Sequence, residues 1–172
     1  MPTLFESIVE LEPHQETIRR RAYGVIEVVR GEFRRIAFRP WPKAISLAAI
    51  QWLGRRTHER LRADACRLYF NQPATSRNYL ALKYVVSSFG TSYRTFLVAQ
   101  RVLDEVARIK RSDAIVCEVT NDRIADRMMR RWGWEPRRGG SGRAAPRGRT
   151  TSVRRGRGQR AQRRRASCRR GR

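Results

Sequence analysis

A carboxylate inside an apolar run is the first candidate for chemistry in this chain of 172 residues. Glu118 lies within Ala114-Ile-Val-Cys-Glu-Val119, where it can act as a general base that takes a proton from an amine, directly or through water. The alternative is a carboxylate at a strand edge or strand end that pairs with a nearby arginine. The sequence favours this alternative, because structural ion pairs perturb carboxylates as often as catalysis does.

A second candidate site is the segment 87–92, which joins a predicted strand to a predicted helix. The strand covers residues 78–87 and is apolar on both faces near its end, as a central strand would be. Gly90 permits an unusual backbone angle in the turn, and Thr91 or Ser92 can cap the helix. Ligands of strand–helix–strand units bind at the carboxyl ends of the strands, often against a helix N-terminus. We therefore expect a ligand at this turn.

The residues after this turn predict the elements that position it. A long helix follows, because apolar residues recur at spacings of three and four. Its apolar stripe consists of Phe96, Ala99, Val102, Leu103, Val106 and Ile109. Residues 114–119 predict a strand, Asn121 predicts a turn, and residues 124–132 predict a short helix that ends at Gly133. The two strands should be parallel neighbours joined by a right-handed crossover.

The first 70 residues predict a mainly helical portion. A short strand is expected over residues 4–11, and a helix over residues 15–36, whose apolar residues recur at spacings of three and four. A second helix is expected over residues 43–61, after the break at Arg39-Pro-Trp-Pro42. Residues 66–70 extend this helix or form a strand, and the periodicity does not decide between the two.

Positive charge is concentrated at the C-terminal end of the chain. Residues 137–172 contain fifteen arginines and no acidic residue, which leaves +9 of the formal net charge of +24 to the first 136 residues. The one large aliphatic residue of this segment is Val153. Such a composition cannot bury enough apolar surface to offset the entropy of ordering the chain, so we expect a disordered basic tail.

The cysteines and histidines predict no metal site. Cys66, Cys117 and Cys168 form no closely spaced pair. His14 and His58 lie far from them in sequence, and neither has a partner at ligand spacing. We interpret the cysteines as reduced thiols. No apolar run approaches a membrane span, and the N-terminus lacks the pattern of a signal peptide, so a cytoplasmic protein without a membrane partner is expected.

The pattern over residues 78–135 resembles the core of the GNAT superfamily of acyl-CoA-dependent N-acyltransferases. The shared features are the strand, the glycine turn, the long helix, the strand that ends in Val-Thr-Asn121, and the short helix that ends in Gly133-Trp134. The resemblance implies an α/β fold with a mixed sheet flanked by helices. It also implies transfer of an acyl group from acetyl-CoA or another acyl-CoA to an amine that the sequence does not identify.

The same resemblance implies how the acyl donor would bind. The strand that contains Val85, Val86 and Ser87 would splay from its neighbour and pair through its backbone with the pantetheine arm. Asn121 would orient the loop beside the acyl group, although a simple turn residue is the favoured interpretation. The pyrophosphate would be held by the amides of Phe89, Gly90, Thr91, Ser92 and Tyr93.

The chain departs from the family's pattern at two positions. The pyrophosphate loop usually reads Gln/Arg-x-x-Gly-x-Gly/Ala, and only Gly90 remains here. The family often has a tyrosine four residues before the Gly-aromatic pair, where it can protonate the leaving thiolate, and this chain has Met129. Tyr93 is the predicted substitute, with Tyr84 as a second candidate. We therefore expect an acyltransferase-like protein that is active through Glu118 and Tyr93, or else inactive.

The basic tail, residues 137–172, has two further interpretations. Its arginine clusters resemble segments that bind RNA or DNA through phosphate contacts, so a non-catalytic nucleic-acid-binding protein is the alternative function. The composition also changes abruptly after Pro136, where a GNAT domain over residues 1–136 should still have a final pair of strands. Arginine-rich coding is typical of GC-rich DNA, so a frameshifted terminus is a second hypothesis for the tail.

Overall fold

A computed structural model describes residues 6–40, 64–88, 90–119, 126–136 and 150–155. The strands are β1 Glu6–Ile8, β2 Tyr23–Val29, β3 Glu32–Arg39, β4 Ala65–Asn71, β5 Tyr79–Ser87, β6 Ala114–Val119, β7 Glu135–Pro136 and β8 Thr150–Arg155. The helices are α1 Gln15–Arg20, α2 Tyr93–Ile109 and α3 Asp126–Arg131. None of the helices in these ranges is long and apolar enough to cross a membrane.

The strands form one mixed sheet with the order β1-β3-β2-β4-β5-β6-β8-β7. Strands β5 and β6 are parallel, and every other neighbouring pair is antiparallel. Helix α2 connects the two parallel strands, since antiparallel neighbours can be joined by a tight turn but parallel ones need a crossover. The predicted strand–helix–strand unit with parallel neighbours is therefore confirmed.

Residues 15–36 do not form the predicted helix. Helix α1 ends at Arg20, and the hairpin of β2 and β3 follows it. The turn consists of Arg30 and Gly31, whose φ angles of 52° and 74° are both positive. That combination matches the two-residue hairpin turn whose twist suits the flanking strands. Strand β2 is rich in β-branched residues and buries side chains on both faces. Its apolar residues therefore do not alternate with polar ones as in a one-sided strand, and their spacing was misinterpreted as that of a helix.

The prediction of a mainly helical N-terminal portion is therefore wrong for the described residues. Ranges 6–40 and 64–71 contain four strands and one short helix. Residues 66–70, left open between helix and strand, belong to β4. The predicted helix over residues 43–61 lies outside the described residues.

Helix α2 packs on one face of the sheet and forms the core with it. The predicted apolar stripe of the helix is buried, with Phe96 partly so. Ile26, Ile36 and Leu68 are fully buried on the sheet. Each such side chain contributes about 1.5–3 kcal/mol by leaving water. Trp134 is 1% exposed, and the ring of Trp132 packs on Phe96, so both tryptophans contribute to the core.

Strand β8 contradicts the expectation that the whole tail is disordered. Residues 150–155 pair with all six residues of β6, and β7 pairs with β8 on its other side. The Arg154 guanidinium donates to Asp104 Oδ2 on α2 at 2.7 Å and also to Gln100. Strand β8 of the tail and strand β7, which precedes the tail, thus form the final pair of strands that was expected to be missing. The rest of residues 137–172 lies outside the described ranges, and the frameshift hypothesis stays a prediction.

Candidate functional site

The parallel strands β5 and β6 separate halfway along β5. Their register runs from Tyr79 with Ala114 to Leu82 with Cys117. Strand β5 then continues to Ser87 and stays paired with β4 on its other side, up to Cys66 with Ser87. In the part of the chain that the structure describes, no strand pairs with β5 on the β6 side after Leu82. The backbone edge of residues 83–87 is therefore available to a ligand.

A β-bulge explains where the two strands separate. In the register of β4 with β5, Tyr69 pairs with Tyr84 and the next residue, Phe70, pairs with Leu82. Lys83 is thus an extra residue on β5. A bulge bends its strand and increases the local twist. Because Lys83 directly follows the last β5–β6 pair, the bend turns β5 away from β6 at that point.

The diverging half of β5 exposes apolar surface beside its unpaired edge. Val85 is 47% exposed, whereas its register partner Leu68 is fully buried on the same face of the sheet. Val86 and Ser87 are half-buried on the same stretch. The three predicted pantetheine-binding residues therefore lie along one open edge.

The turn after β5 is fastened to the start of β4. Ser88 is buried, and its Oγ accepts a hydrogen bond from the amide of Ala65 at 3.1 Å. The hydroxyl of Thr91 donates to the carbonyl oxygen of Ala65 at 2.7 Å. Ser92 is the N-cap of α2, since its Oγ accepts from the amide of Thr95 at 3.2 Å. Of the two predicted caps, Ser92 is the one that forms.

Gly90 does not have the unusual backbone angle that the sequence suggested. Its φ lies outside the left-handed region, in contrast to Gly31 and Gly133. A Cβ atom built on Gly90 meets no described atom within 4 Å. The turn is thus open to a ligand at Gly90, but its conformation does not require glycine.

The N-terminus of α2 holds a carboxylate that the sequence did not reveal. Asp64 Oδ1 accepts from the amide of Ser92 at 2.8 Å, and Oδ2 accepts from the hydroxyls of Ser92 and Thr95 at 2.7 Å each. Burial alone would raise the pKa of Asp64, but the hydrogen bonds from Ser92 and Thr95 lower it below the ordinary 3.8. The carboxylate is therefore ionised at neutral pH and faces the positive end of the helix dipole.

The two predicted catalytic residues lie on different elements, Tyr93 on α2 and Glu118 on β6. Tyr93 is the first residue of α2 and is 51% exposed. Glu118 lies on β6, one residue beyond the last pair with β5, and its backbone is opposite Thr151 of β8. Tyr84, the second candidate acid, is half-buried with its ring edge against Tyr69, at 6.3 Å between centroids.

Three side chains named above, those of Met129, Cys117 and Cys66, are buried in the core. Met129 is 7% exposed and belongs to the core, and its carbonyl oxygen accepts from the amide of Trp134. Cys117 is a buried core residue. Burial raises the pKa of the Cys66 thiol to about 12, so it is no nucleophile at neutral pH. Phe89 and Asn121 lie outside the described residues.

One more carboxylate, Glu27, is held in a structural ion-pair cluster. Burial favours its neutral form, but the guanidinium groups of Arg35 and Arg67 outweigh this effect and lower the pKa of Glu27. Both arginines donate to it, each through Nε at 2.8 Å. A carboxylate engaged in this way is not free to take a proton.

Within the described ranges, no group of three or more His, Cys, Asp and Glu residues could hold a metal ion.

An acyl-CoA fits one part of this site and conflicts with another. The open edge of β5, with Val85 beside it, can accept the extended pantetheine arm as an added strand. The space at Gly90 is also open. The N-terminus of α2 does not fit a diphosphate in the observed arrangement, because the Asp64 carboxylate already binds the Ser92 amide.

The described strands form a mixed sheet with a parallel β5–β6 pair that separates after Leu82 and a final antiparallel pair, β7–β8. This is the arrangement that the resemblance of residues 78–135 to the GNAT superfamily implies. Among solved structures, the chain is similar to nourseothricin acetyltransferase, with 11% sequence identity and a TM-score of 0.43 over 90% of this chain and 99% of that chain. No protein family and no curated protein matches the sequence.

Proposed function

We propose that the protein is an acyl-CoA-dependent N-acyltransferase whose donor lies along the open edge of β5. The observation that supports this most is the separation of β5 and β6 at Lys83. An unpaired backbone edge inside a sheet is unusual, because strands normally satisfy both edges or cover them. Among the described residues no strand pairs with this edge beyond Leu82, and the exposed Val85 lies on the same stretch of β5.

The chemistry of the proposed reaction requires little from the protein. The acceptor amine attacks the thioester carbonyl, a C–N bond forms, the C–S bond breaks, and one proton passes from the amine to the leaving thiolate. We assign Glu118 to take the amine proton and Tyr93 to protonate the thiolate. The main contribution of the fold is orientation, which can replace much of the entropic barrier of a bimolecular reaction.

Two exposed valines provide a matched test of donor binding. Val85 and Val9 are 47% and 65% exposed, and Val9 lies in the N-terminal segment after β1. V85D adds a carboxylate beside the proposed pantetheine path, and we expect acetyl-CoA affinity to fall about tenfold, equivalent to about 1.4 kcal/mol. V9D should leave the affinity unchanged. Calorimetry on the full chain measures both, and equal effects of the two variants would contradict the proposal.

The catalytic assignments need a separate measurement. We expect E118Q and Y93F to retain acetyl-CoA affinity and to lower kcat about 100-fold or more in an assay of thiol release with a panel of amines. Because binding and turnover are read independently, a loss of both in E118Q would indicate a structural carboxylate. Full turnover in both variants would refute the assignment of these two residues.

The tail supports a second candidate function, the binding of nucleic acid. Thirteen of its fifteen arginines lie outside β8 and none of its residues is acidic. Such a segment should bind RNA with little sequence preference and with steep salt dependence. Electrophoretic shift with single-stranded RNA tests it, and removal of residues 156–172 should weaken the shift. An unchanged shift would refute a role of that segment.

A further inference from the structure

Three donors at the start of α2 converge on the carboxylate of Asp64. They are the amide of Ser92, the hydroxyl of Ser92 and the hydroxyl of Thr95, at 2.7–2.8 Å from the carboxylate oxygens. Thr95 is itself buried and accepts from the amide of Gly31 at 2.7 Å, so its hydroxyl hydrogen is directed to Asp64. This geometry is typical of an anion-binding site at a helix N-terminus, and here the bound anion is the protein's own Asp64 carboxylate.

The charge of Asp64 is not neutralised by these partners. All three donors are uncharged groups, and hydrogen bonds from neutral groups stabilise an anion without cancelling its field. The positive end of the helix dipole offsets only part of one unit charge. A diphosphate that approached this helix end would therefore meet both an occupied amide and a like charge.

The backbone of Asp64 is fixed independently of its carboxylate. Its carbonyl oxygen accepts from the amide of Arg30 at 2.7 Å, and the next residue, Ala65, begins β4 and bonds to Ser88. Rotation of the side chain would break the bonds to Ser92 and Thr95 but would not disturb the pairing of β4. The carboxylate can thus be displaced from the N-terminus of α2 by another anion while the backbone of Asp64 stays in place.

We propose that Asp64 competes with the diphosphate of the acyl donor for the N-terminus of α2 and thereby sets the affinity of the protein for acyl-CoA. This inference rests on the proposed function. Donor binding then requires the carboxylate to leave the Ser92 amide. The free energy of donor binding is therefore less favourable, because one anion replaces another at the same amide. A donor that has the pantetheine arm but no diphosphate would not meet this competition.

Removal of the carboxylate tests the competition directly. The probes are acetyl-CoA and acetyl-pantetheine, which share the thioester and the arm but differ in the diphosphate and nucleotide. We expect D64A to bind acetyl-CoA about tenfold more tightly than the wild type, since a nearby like charge is removed and the amide is freed. Its affinity for acetyl-pantetheine should stay the same.

Two further variants protect this test. D64N serves if D64A does not fold, because an asparagine keeps one acceptor for the Ser92 amide while it removes the charge. D113N removes a carboxylate at the opposite end of α2, where Asp113 accepts from Asn78, and should change neither affinity. The order of acetyl-CoA affinity should therefore be D64A, then D64N, then D113N equal to the wild type.

The outcomes separate this inference from the proposed function. Equal or weaker acetyl-CoA binding by D64A and D64N, with binding still present, would overturn the role of Asp64 and leave the proposed function intact. An equal gain for acetyl-pantetheine would also overturn it, because the diphosphate would then be irrelevant. Absence of binding of both probes to the wild type and to every variant would overturn both.

Discussion

Replacement of the buried Lys110 should remove a defined part of the pH dependence of stability. Lys110 caps the C-terminus of α2, is 8% exposed, and donates from Nζ to the carbonyl oxygen of Arg21 at 2.7 Å and to Gln72 Oε1 at 3.1 Å. Burial lowers the pKa of its ammonium group from 10.5 to about 8. In the unfolded chain, the group returns to the higher value.

The sign of the effect follows from proton binding. Between pH 8 and 10.5 the unfolded chain binds more protons at this site than the folded protein, so stability rises with pH. The rise is at most about 1.4 kcal/mol per pH unit, or about 3 kcal/mol across the interval. K110M lacks this contribution. The difference in the free energy of unfolding between wild type and K110M should therefore grow in favour of the wild type as pH increases.

Urea unfolding of both proteins at pH 7, 8, 9 and 10 measures this difference. Other groups also titrate in this range, but they cancel in the comparison because both proteins contain them. The matched control is K83M, which makes the same substitution at an exposed lysine in the bulge of β5 and so accounts for the loss of one positive charge. A constant difference for K110M would refute the argument that burial sets the proton affinity of Lys110.

Two further predictions concern the frame of the fold. Gly133 has a φ of 83° at the end of α3, where its amide donates to the carbonyl oxygen of Arg130 and the amide of Trp134 donates to that of Met129. Because this angle favours glycine, G133A should lower the free energy of unfolding by about 1 kcal/mol. The control G90A should leave the free energy of unfolding unchanged, since Gly90 does not have such an angle. Equal effects in urea unfolding would show that the left-handed angle at Gly133 is not required. A chain that ends at Pro136 should have a lower melting temperature than one that ends at Arg155, because β6 loses its pairing with β8 along its whole length. Equal melting temperatures would contradict the docking of β8.

The sequence predicted the second half of the described core better than the first half. Helix α2 was predictable because its apolar stripe is long and regular, and the turn at Ser92 has a strong capping residue. The hairpin of β2 and β3 was not recognised. Strand β2 is buried on both faces, which erases the alternation typical of strands, and Arg30 is an uncommon residue for a turn position with positive φ.

The positions of the candidate site residues were predictable only where these residues follow one another in the chain. Val85, Val86, Ser87 and Ser92 follow from the strand and the cap. Asp64 does not, because its contact with Ser92 joins residues 28 positions apart and depends on how β4 and β5 pair. Met129 was correctly identified as lacking a proton to give, and its burial supplies the reason for its residue type.

Strand β8 was missed because composition outweighed pattern. Arginine, glycine and serine dominate residues 137–172, yet the short run Thr150–Arg155 pairs with strand β6. Its Arg154 guanidinium also donates a hydrogen bond to the Asp104 carboxylate. The coding hypothesis for this segment has its own test. Translation of the other two reading frames should continue with alternating apolar residues after Gly133-Trp134, and absence of such a pattern in both frames would refute the frameshift.

We propose that the open edge of β5 binds the pantetheine arm of an acyl donor. Residue-resolved amide hydrogen exchange with and without acetyl-CoA measures that edge directly. We expect slower exchange at residues 83–87 in the presence of acetyl-CoA, while exchange in the part of β4 that pairs with them stays unchanged. Binding of acetyl-CoA without protection of these amides would contradict the claim, since the donor would then lie elsewhere on the molecule.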